Sequence, residues 1–119
     1  MASTLSTLGK NVALTAIGAA YGFASAHTGD PGATGTANEV SGGNPVYARK
    51  AITWAAASVG SKALAATFPV FDIPAGTTVA YIGLWTLASG GTYGGCFDVT
   101  DEVFAGQGTY TLTAGTVSL

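Results

Sequence analysis

The segment VAYIGLWTL, residues 79–87, decides the fold class, because it predicts a β-strand with apolar side chains on both faces. Such a strand is covered on both sides, so we predict that it lies at the centre of a sheet. Gly83 within it indicates a bulge or the close approach of another backbone. One face would carry Val79, Tyr81, Trp85 and Leu87, and the other Ala80, Ile82 and Leu84.

Shorter strands are predicted on both sides of this segment, with turn residues about every ten positions. In the segment 67–73, Phe68 and Val70 would lie on one face and Phe71 and Ile73 on the other, so both faces are expected to be covered. Many short strands of this kind are typical of a β-sandwich or a jelly-roll-like barrel. The other predicted strands are 21–28, 46–56, 92–99, 110–112 and 117–119.

Residues 1–119 are expected to form a single, mainly β domain, in which an N-terminal helix (1–22) and a long Gly/Thr-rich loop (29–45) precede a β core (46–119). Residues 10–26 also imitate a secretory signal peptide, which is the alternative to the helix. The apolar run is too short to span a bilayer, which takes about 20 residues. The helix would have apolar stripes at Leu5, Leu8, Val12 and at Leu14, Ile17, Tyr21, an N-cap at Ser3, Thr4 or Ser6, and an end at Gly18 or Gly22.

The chain carries very little charge: 8% of its residues are charged, against about 25% in ordinary soluble domains. We expect much of the surface to be covered by copies of the chain, with a trimer as one candidate state, or by other proteins. A bland Ala, Gly, Ser and Thr surface is the alternative. A net charge of −2 argues against nucleic acid as a partner, and no membrane partner is expected.

Catalytic, cofactor and metal sites are not predicted. His27 and Asp72 with a serine lack a nucleophile elbow, and one histidine with one cysteine cannot complete a zinc site. Cys96 is expected to be a small buried apolar residue. The acidic residues Asp98, Asp101 and Glu102 predict a solvated loop or an ion pair with Arg49 or Lys50, and a calcium site is the alternative.

The aromatic residues allow two interpretations. Trp54, Trp85, Tyr93 and Tyr110 could form a platform for sugar stacking, as in host adhesion. Packing in the core is preferred for both tryptophans, because each lies in an apolar strand. The predicted core therefore includes Trp54, Phe68, Phe71, Ile82, Leu84 and Trp85.

The segment HTGDPGATGTANEVSGGNPVYARKAITW, residues 27–54, combines a turn-rich loop with one arginine and a β-type run. It resembles short virion proteins of tailed bacteriophages, which are described as tail fibre, minor tail or capsid-associated proteins. The resemblance rests on His27-Thr28, Asp30-Pro31, the run 37–43 (ANEVSGG) and Tyr47-Ala48-Arg49, and it extends through residues 79–85 and 88–91.

This resemblance implies a structural protein of the virion that is not an enzyme and has no cofactor. The chain lacks the repeats of a long fibre shaft, which favours a cap, collar or surface module, such as a capsid decoration or cementing subunit. The usual description of the family favours a minor tail or tail fibre component instead, so both locations are kept. A glycan-binding module that contacts the host is the runner-up. Arg49 is expected to meet Glu39, Asp72 or an acidic residue of an adjacent copy. The candidate assembly residues are His27, Asp30, Glu39, Val40, Tyr47 and Arg49.

Overall fold

The computed structural model describes residues 4–65 and 68–119, and within these ranges it has one helix and eight strands. The prediction of a mainly β fold with one N-terminal helix is confirmed. No helix within the described ranges is long and apolar enough to cross a membrane. The elements are α1 (Thr7–Ala20), β1 (Phe23–His27), β2 (Lys50–Ala51), β3 (Ser61–Ala63), β4 (Val70–Ile73), β5 (Thr77–Trp85), β6 (Tyr93–Phe104), β7 (Gly108–Thr111) and β8 (Thr116–Ser118).

The largest sheet is antiparallel and has the strand order β2-β1-β5-β6. β5 pairs with β1 on one side and with β6 on the other, so the prediction of a central strand is confirmed. β3 with β8 and β4 with β7 form two separate two-stranded antiparallel sheets. Because β1 belongs to the main sheet, the β core begins at Phe23 and not at residue 46.

The pairing of β5 with β6 has a register shift between Val79 and Tyr81. Val79, Ile82 and Leu84 all pack in one core cluster, although strict alternation would place Val79 on the opposite face. Two steps along β5, from Val79 to Tyr81, lie opposite four steps along β6, from Glu102 to Asp98, so the extra residues of this bulge belong to β6. The sequence pattern identified the strand but not this interruption.

The small sheet β4-β7 supplies the other side of this core. Phe71 and Ile73 are fully buried, and Tyr110 packs beside them. Phe68 and Val70 are 39% and 46% exposed, so the prediction of a core position for Phe68 and of a strand covered on both faces is wrong. The sheet covers the core with one face, and within the described ranges nothing buries the other. Thr67 of the predicted strand lies outside the described residues.

Helix α1 begins after Ser6, whose hydroxyl accepts a hydrogen bond from the Gly9 N–H over 3.0 Å and confirms one of the predicted N-caps. Ser3 lies outside the described residues. Gly18 does not end the helix; a Cβ there would lie 2.2 Å from Cε of Lys62, so the glycine makes room for this side chain. The Lys62 ammonium donates to the Ala55 carbonyl.

Other predicted positions differ in detail. Phe71, Ile82, Leu84 and Trp85 are buried, whereas Trp54 is half-buried and donates its indole N–H to the Tyr21 carbonyl over 2.9 Å. The strand predicted at 46–56 is reduced to β2 and a single bridge between Trp54 and Leu64. Cys96 is exposed on β6, which corrects its predicted burial. β3 was not predicted.

Candidate functional site

The site is built on the face of the main sheet that points away from the core cluster. Ala24 and Ala26 of β1 belong to the core cluster, so the period of two places Ser25 and His27 on the opposite face. Both polar side chains are nevertheless fully buried. Buried polar groups require hydrogen-bond partners, and the surrounding strands and loop supply them.

A short chain of hydrogen bonds connects these side chains to β5 and to the long loop. His27 Nδ1 lies 2.8 Å from the Ala37 carbonyl oxygen, and a carbonyl only accepts, so Nδ1 carries the proton. Nε2 of the neutral ring then accepts from the Ser25 hydroxyl, 2.6 Å away. The Trp85 indole N–H donates to the same hydroxyl oxygen over 2.9 Å. All three side chains are satisfied by this arrangement.

Gly83 is the residue of β5 that pairs with Ser25. A Cβ at this position would lie 2.5 Å from Ser25 Oγ, 3.1 Å from His27 Nε2 and 3.2 Å from Trp85 Nε1. The close approach predicted for Gly83 is therefore present, but it involves side chains and not another backbone. The three polar groups occupy the space that any larger residue would need.

Beside these hydrogen bonds lies a cluster that we call the Arg49 clamp, consisting of Glu39, Tyr47, Arg49 and Trp85. The Arg49 guanidinium donates from Nε and from its NH2 group to the two carboxylate oxygens of Glu39, each over 3.1 Å. The Tyr47 hydroxyl donates to Glu39 Oε2 over 2.9 Å and accepts from the Ala26 N–H. The prediction that Arg49 meets Glu39 is confirmed, within the same chain.

The other side of Arg49 fixes the turn that follows β5. Its NH1 group donates to the carbonyl oxygens of Leu87 and Gly90, over 3.3 and 2.8 Å. The guanidinium carbon lies 3.7 Å from the centre of the Trp85 ring, in a cation–π contact. Four of the five N–H groups of Arg49 are therefore used, and the arginine joins the long loop, the β5 turn and the sheet.

The electrostatics of the cluster follow from burial and from these bonds. Burial lowers the pKa of His27 below its ordinary value, in agreement with the neutral ring inferred from the hydrogen bonds. Burial raises the pKa of Glu39, but hydrogen bonds from Arg49 and Tyr47 outweigh it and hold the carboxyl below its usual range. Burial, together with the adjacent Glu39 carboxylate, raises the pKa of Tyr47. At neutral pH the ion pair is complete and the phenol is protonated.

Hydrogen bonds and one ring contact fix the long loop to the main sheet. The Thr28 N–H donates to the Asn38 carbonyl and the Val40 N–H donates to the Ala26 carbonyl. Residues 38–40 therefore pair with the outer edge of β1. Gly35, which has a φ of +77°, is buried under the Tyr93 ring, where a Cβ would lie 2.2 Å from a ring carbon. Covering an edge in this way removes unpaired backbone groups from solvent.

The predicted assembly residues do not all reach the surface. His27 and Val40 are buried within the chain, which corrects their assignment as contact residues. Glu39, Tyr47 and Arg49 are brought together, and their polar atoms are occupied by one another. The carboxylate of the exposed Asp30 accepts from the Gly32 N–H and stabilises the turn at Pro31.

The arrangement is suited to fixing loops and not to chemistry on a substrate. Ser25 and His27 are hydrogen-bonded like a nucleophile and its base. Both are fully buried, however, and the Trp85 indole already donates a hydrogen bond to the serine oxygen. Trp85 is 4% exposed and Arg49 covers its ring, so it offers no platform for a sugar. Within residues 4–65 and 68–119, no three His, Cys, Asp or Glu side chains converge on a metal-sized site, and this includes Asp98, Asp101 and Glu102.

Sequence reasoning missed Ser25 and Gly35 as members of this site. The signal for Ser25 was a polar residue inside the apolar strand FASAH, where a buried hydroxyl requires a partner. Gly35 had no signal of its own, because one glycine among many in a loop does not reveal which ring will cover it.

The described residues therefore define a mainly β protein whose long loop and β5 turn are fixed to the main sheet by the Arg49 clamp. Over residues 2–119 the sequence matches the sequence model of the family described as Podophage GP4 fiber I protein gp80. The chain belongs to this family and is a virion-associated structural component of a short-tailed phage. No curated protein and no solved structure was found to match.

Proposed function

We propose that this chain is a non-enzymatic module of the phage fibre and that copies of it assemble side by side through their exposed apolar surface. The family match supports the fibre over a capsid decoration, since the family is described as a fibre protein. The arrangement of copies and their number are part of this proposal.

The proposal rests on a difference between the interior and the surface: the buried polar atoms are hydrogen-bonded, whereas large apolar side chains are exposed to solvent. Among the described residues, every buried side-chain nitrogen and oxygen has a hydrogen-bond partner. Large apolar side chains nevertheless remain at the surface, and only 8% of the residues are charged. Exposed apolar side chains on a surface with so few charges support an assembled state in which part of this surface is covered. The large apolar side chains that are exposed within residues 4–65 and 68–119 are those of Leu5, Leu8, Val12, Val46, Val59, Phe68, Val70, Leu87, Val103 and Leu119.

The dimensions of the chain support the same proposal. Its radius of gyration is 14.9 Å, whereas about 13.5 Å is usual for a compact domain of 119 residues. The extents of 48 × 31 × 24 Å give the chain long sides on which neighbours can pack. The Arg49 clamp supports assembly by holding the long loop and the β5 turn in one conformation before copies associate, which lowers the conformational entropy lost on association.

The proposal is tested by the sedimentation of the purified chain over a wide concentration range, together with the contact area between copies in the fibre. We expect a concentration-dependent oligomer and at least about 1,000 Å² buried against neighbours, the usual minimum for a specific interface. A monomer at all concentrations, together with fibre contacts well below this area, would contradict the proposal.

A second candidate function is binding of a host glycan at the open depression beside the Arg49 clamp. The depression has a volume of about 330 Å³ and is lined by Glu39, Tyr47, Arg49 and residues 88–90. Polar residues next to a turn suit sugar hydroxyls. This candidate is weaker because Glu39 and Arg49 already use their polar atoms in hydrogen bonds to each other. A glycan array that shows no binding by the assembled protein, while assembly itself is observed, separates the two functions.

A further inference from the structure

Helix α1 is apolar on two opposite faces, and the fold uses only one of them. Leu14 is fully buried, and α1 packs against β3 through this inner face. On the other face, Leu8 is 78% and Val12 is 72% exposed. A helix that is apolar on both faces is normally covered on both. We infer that the outer face of α1 packs against the same face of a second copy of this chain.

The exposed positions of α1 are spaced like the residues that lie between two packed helices. Leu5, which precedes the helix and is 52% exposed, is followed by Leu8, Val12, Thr15 and Ala19. Within α1, from Leu8 onward, the intervals of four, three and four residues are those of the contact seam between two packed helices, and Leu5 lies just before the helix. We call these five residues the outer stripe. The stripe is only a few turns long, so it is a local contact and not the shaft of a fibre.

The charge distribution of α1 also fits an identical partner. The helix has no acidic residue in its first turn and no basic residue in its last turn. Its single charged residue is Lys10, whose aliphatic part lies against Gly60 of its own chain. The outer stripe therefore has no charge that would repel the same stripe of another copy. The same stripe on a second copy is an apolar and uncharged surface of matching length.

The outer edge of β6 is a less suitable contact between copies. This strand is at the end of the main sheet, and within the described residues no strand pairs with its outer edge. Asp98, Asp101 and Glu102 are exposed along it, and the register shift opposite Ala80 interrupts its regular geometry. Charges and bulges protect an edge from pairing, and two copies of this strand would bring like charges together.

The inference rests on the proposed self-assembly and names the surface that takes part in it. A specific interface takes about 800 Å² from each partner, which is more than three exposed apolar side chains supply. The helix pair is therefore one part of a larger contact. Replacing Leu8 and Val12 by serine should weaken association at least about tenfold, because two apolar side chains would lose their burial.

The test is cysteine cross-linking of the full chain in a C96S background, which removes the exposed natural thiol. V12C places a thiol on the outer stripe, and V103C is the matched control because Val103 is 75% exposed on β6. We expect V12C to form a disulfide-linked dimer under mild oxidation and V103C to remain a monomer on a denaturing gel. The L8S/V12S chain should sediment as a smaller species while its circular dichroism matches the parent.

The outcomes separate this inference from the proposed function. If the C96S parent is oligomeric but V12C does not cross-link better than V103C and L8S/V12S assembles normally, the outer stripe is covered by another protein or by solvent. The inference is then wrong, and the proposed function stands. If the C96S parent is a monomer at all concentrations and copies in the fibre also bury well below about 1,000 Å² against one another, both are wrong.

Discussion

The replacement of Gly83 by alanine tests the buried hydrogen bonds most selectively. The added Cβ would lie 2.5 Å from Ser25 Oγ and within 3.2 Å of His27 Nε2 and Trp85 Nε1. These atoms belong to buried side chains, so the hydrogen bonds must break or the strands must separate. Overpacking costs about 1–3 kcal/mol, and each buried polar group left without a partner costs about 1–3 kcal/mol more. We expect Gly83→Ala to lower the free energy of unfolding by about 2–5 kcal/mol.

Gly106→Ala is the matched control, because a Cβ there meets no atom within 4 Å and the residue has no positive φ. The control should be neutral or stabilise the chain by up to about 1 kcal/mol, since alanine restricts the unfolded chain. Urea unfolding followed by circular dichroism, at one protein concentration, measures both variants. If Gly83→Ala is as stable as Gly106→Ala, the hydrogen bonds do not occupy the space described, and the reasoning is refuted.

Three further predictions concern the same site. Trp85→Ala should cost about 3–5 kcal/mol and give a chain that folds poorly and does not join particles; a variant with normal melting and lost host attachment would instead favour the glycan-binding function. Arg49→Lys should weaken assembly and lower the melting temperature, because one ammonium cannot replace the fork to Glu39; Lys50→Arg is the control, and equal melting and assembly would contradict the prediction. As pH falls below about 6.5, stability should decrease, because the unfolded chain binds a proton that buried His27 resists; a flat melting profile from pH 8 to pH 5 would oppose it.

The periodicity of the sequence predicted the main sheet well. Residues 79–87 identified β5 as central because two apolar faces leave no side for solvent. Phe68 was misplaced because alternation shows which residues share a face but not whether another layer covers it. β3 was missed because three residues, Ser61–Ala63, are too few to show a period of two.

The sequence predicted several residues of the site but not the positions and contacts that they have in the structure. Arg49 and Glu39 were paired correctly, since an arginine in a chain with few charges has few possible acceptors. His27 and Val40 were expected at a surface because they border a polar loop, but the loop folds back over them. The contact of Gly35 with Tyr93 joins residues 58 positions apart, and no local pattern encodes such a distance.

The outer stripe of α1 shows a further limit of sequence reasoning. Both apolar stripes of the helix were visible in the sequence, at Leu5, Leu8 and Val12 and at Leu14 and Ile17. Their spacing does not distinguish a face that packs on the chain's own sheet from one that remains for a neighbour. Only the position of β3 against the Leu14 side decides this.

A map of the intact phage particle at side-chain resolution tests the central claim most directly. The account predicts several adjacent copies of this chain in the fibre, each with Arg49 bound to its own Glu39 and with at least about 1,000 Å² buried against its neighbours. Isolated copies with smaller contacts, or copies that lie only on the capsid surface away from any fibre, would contradict it.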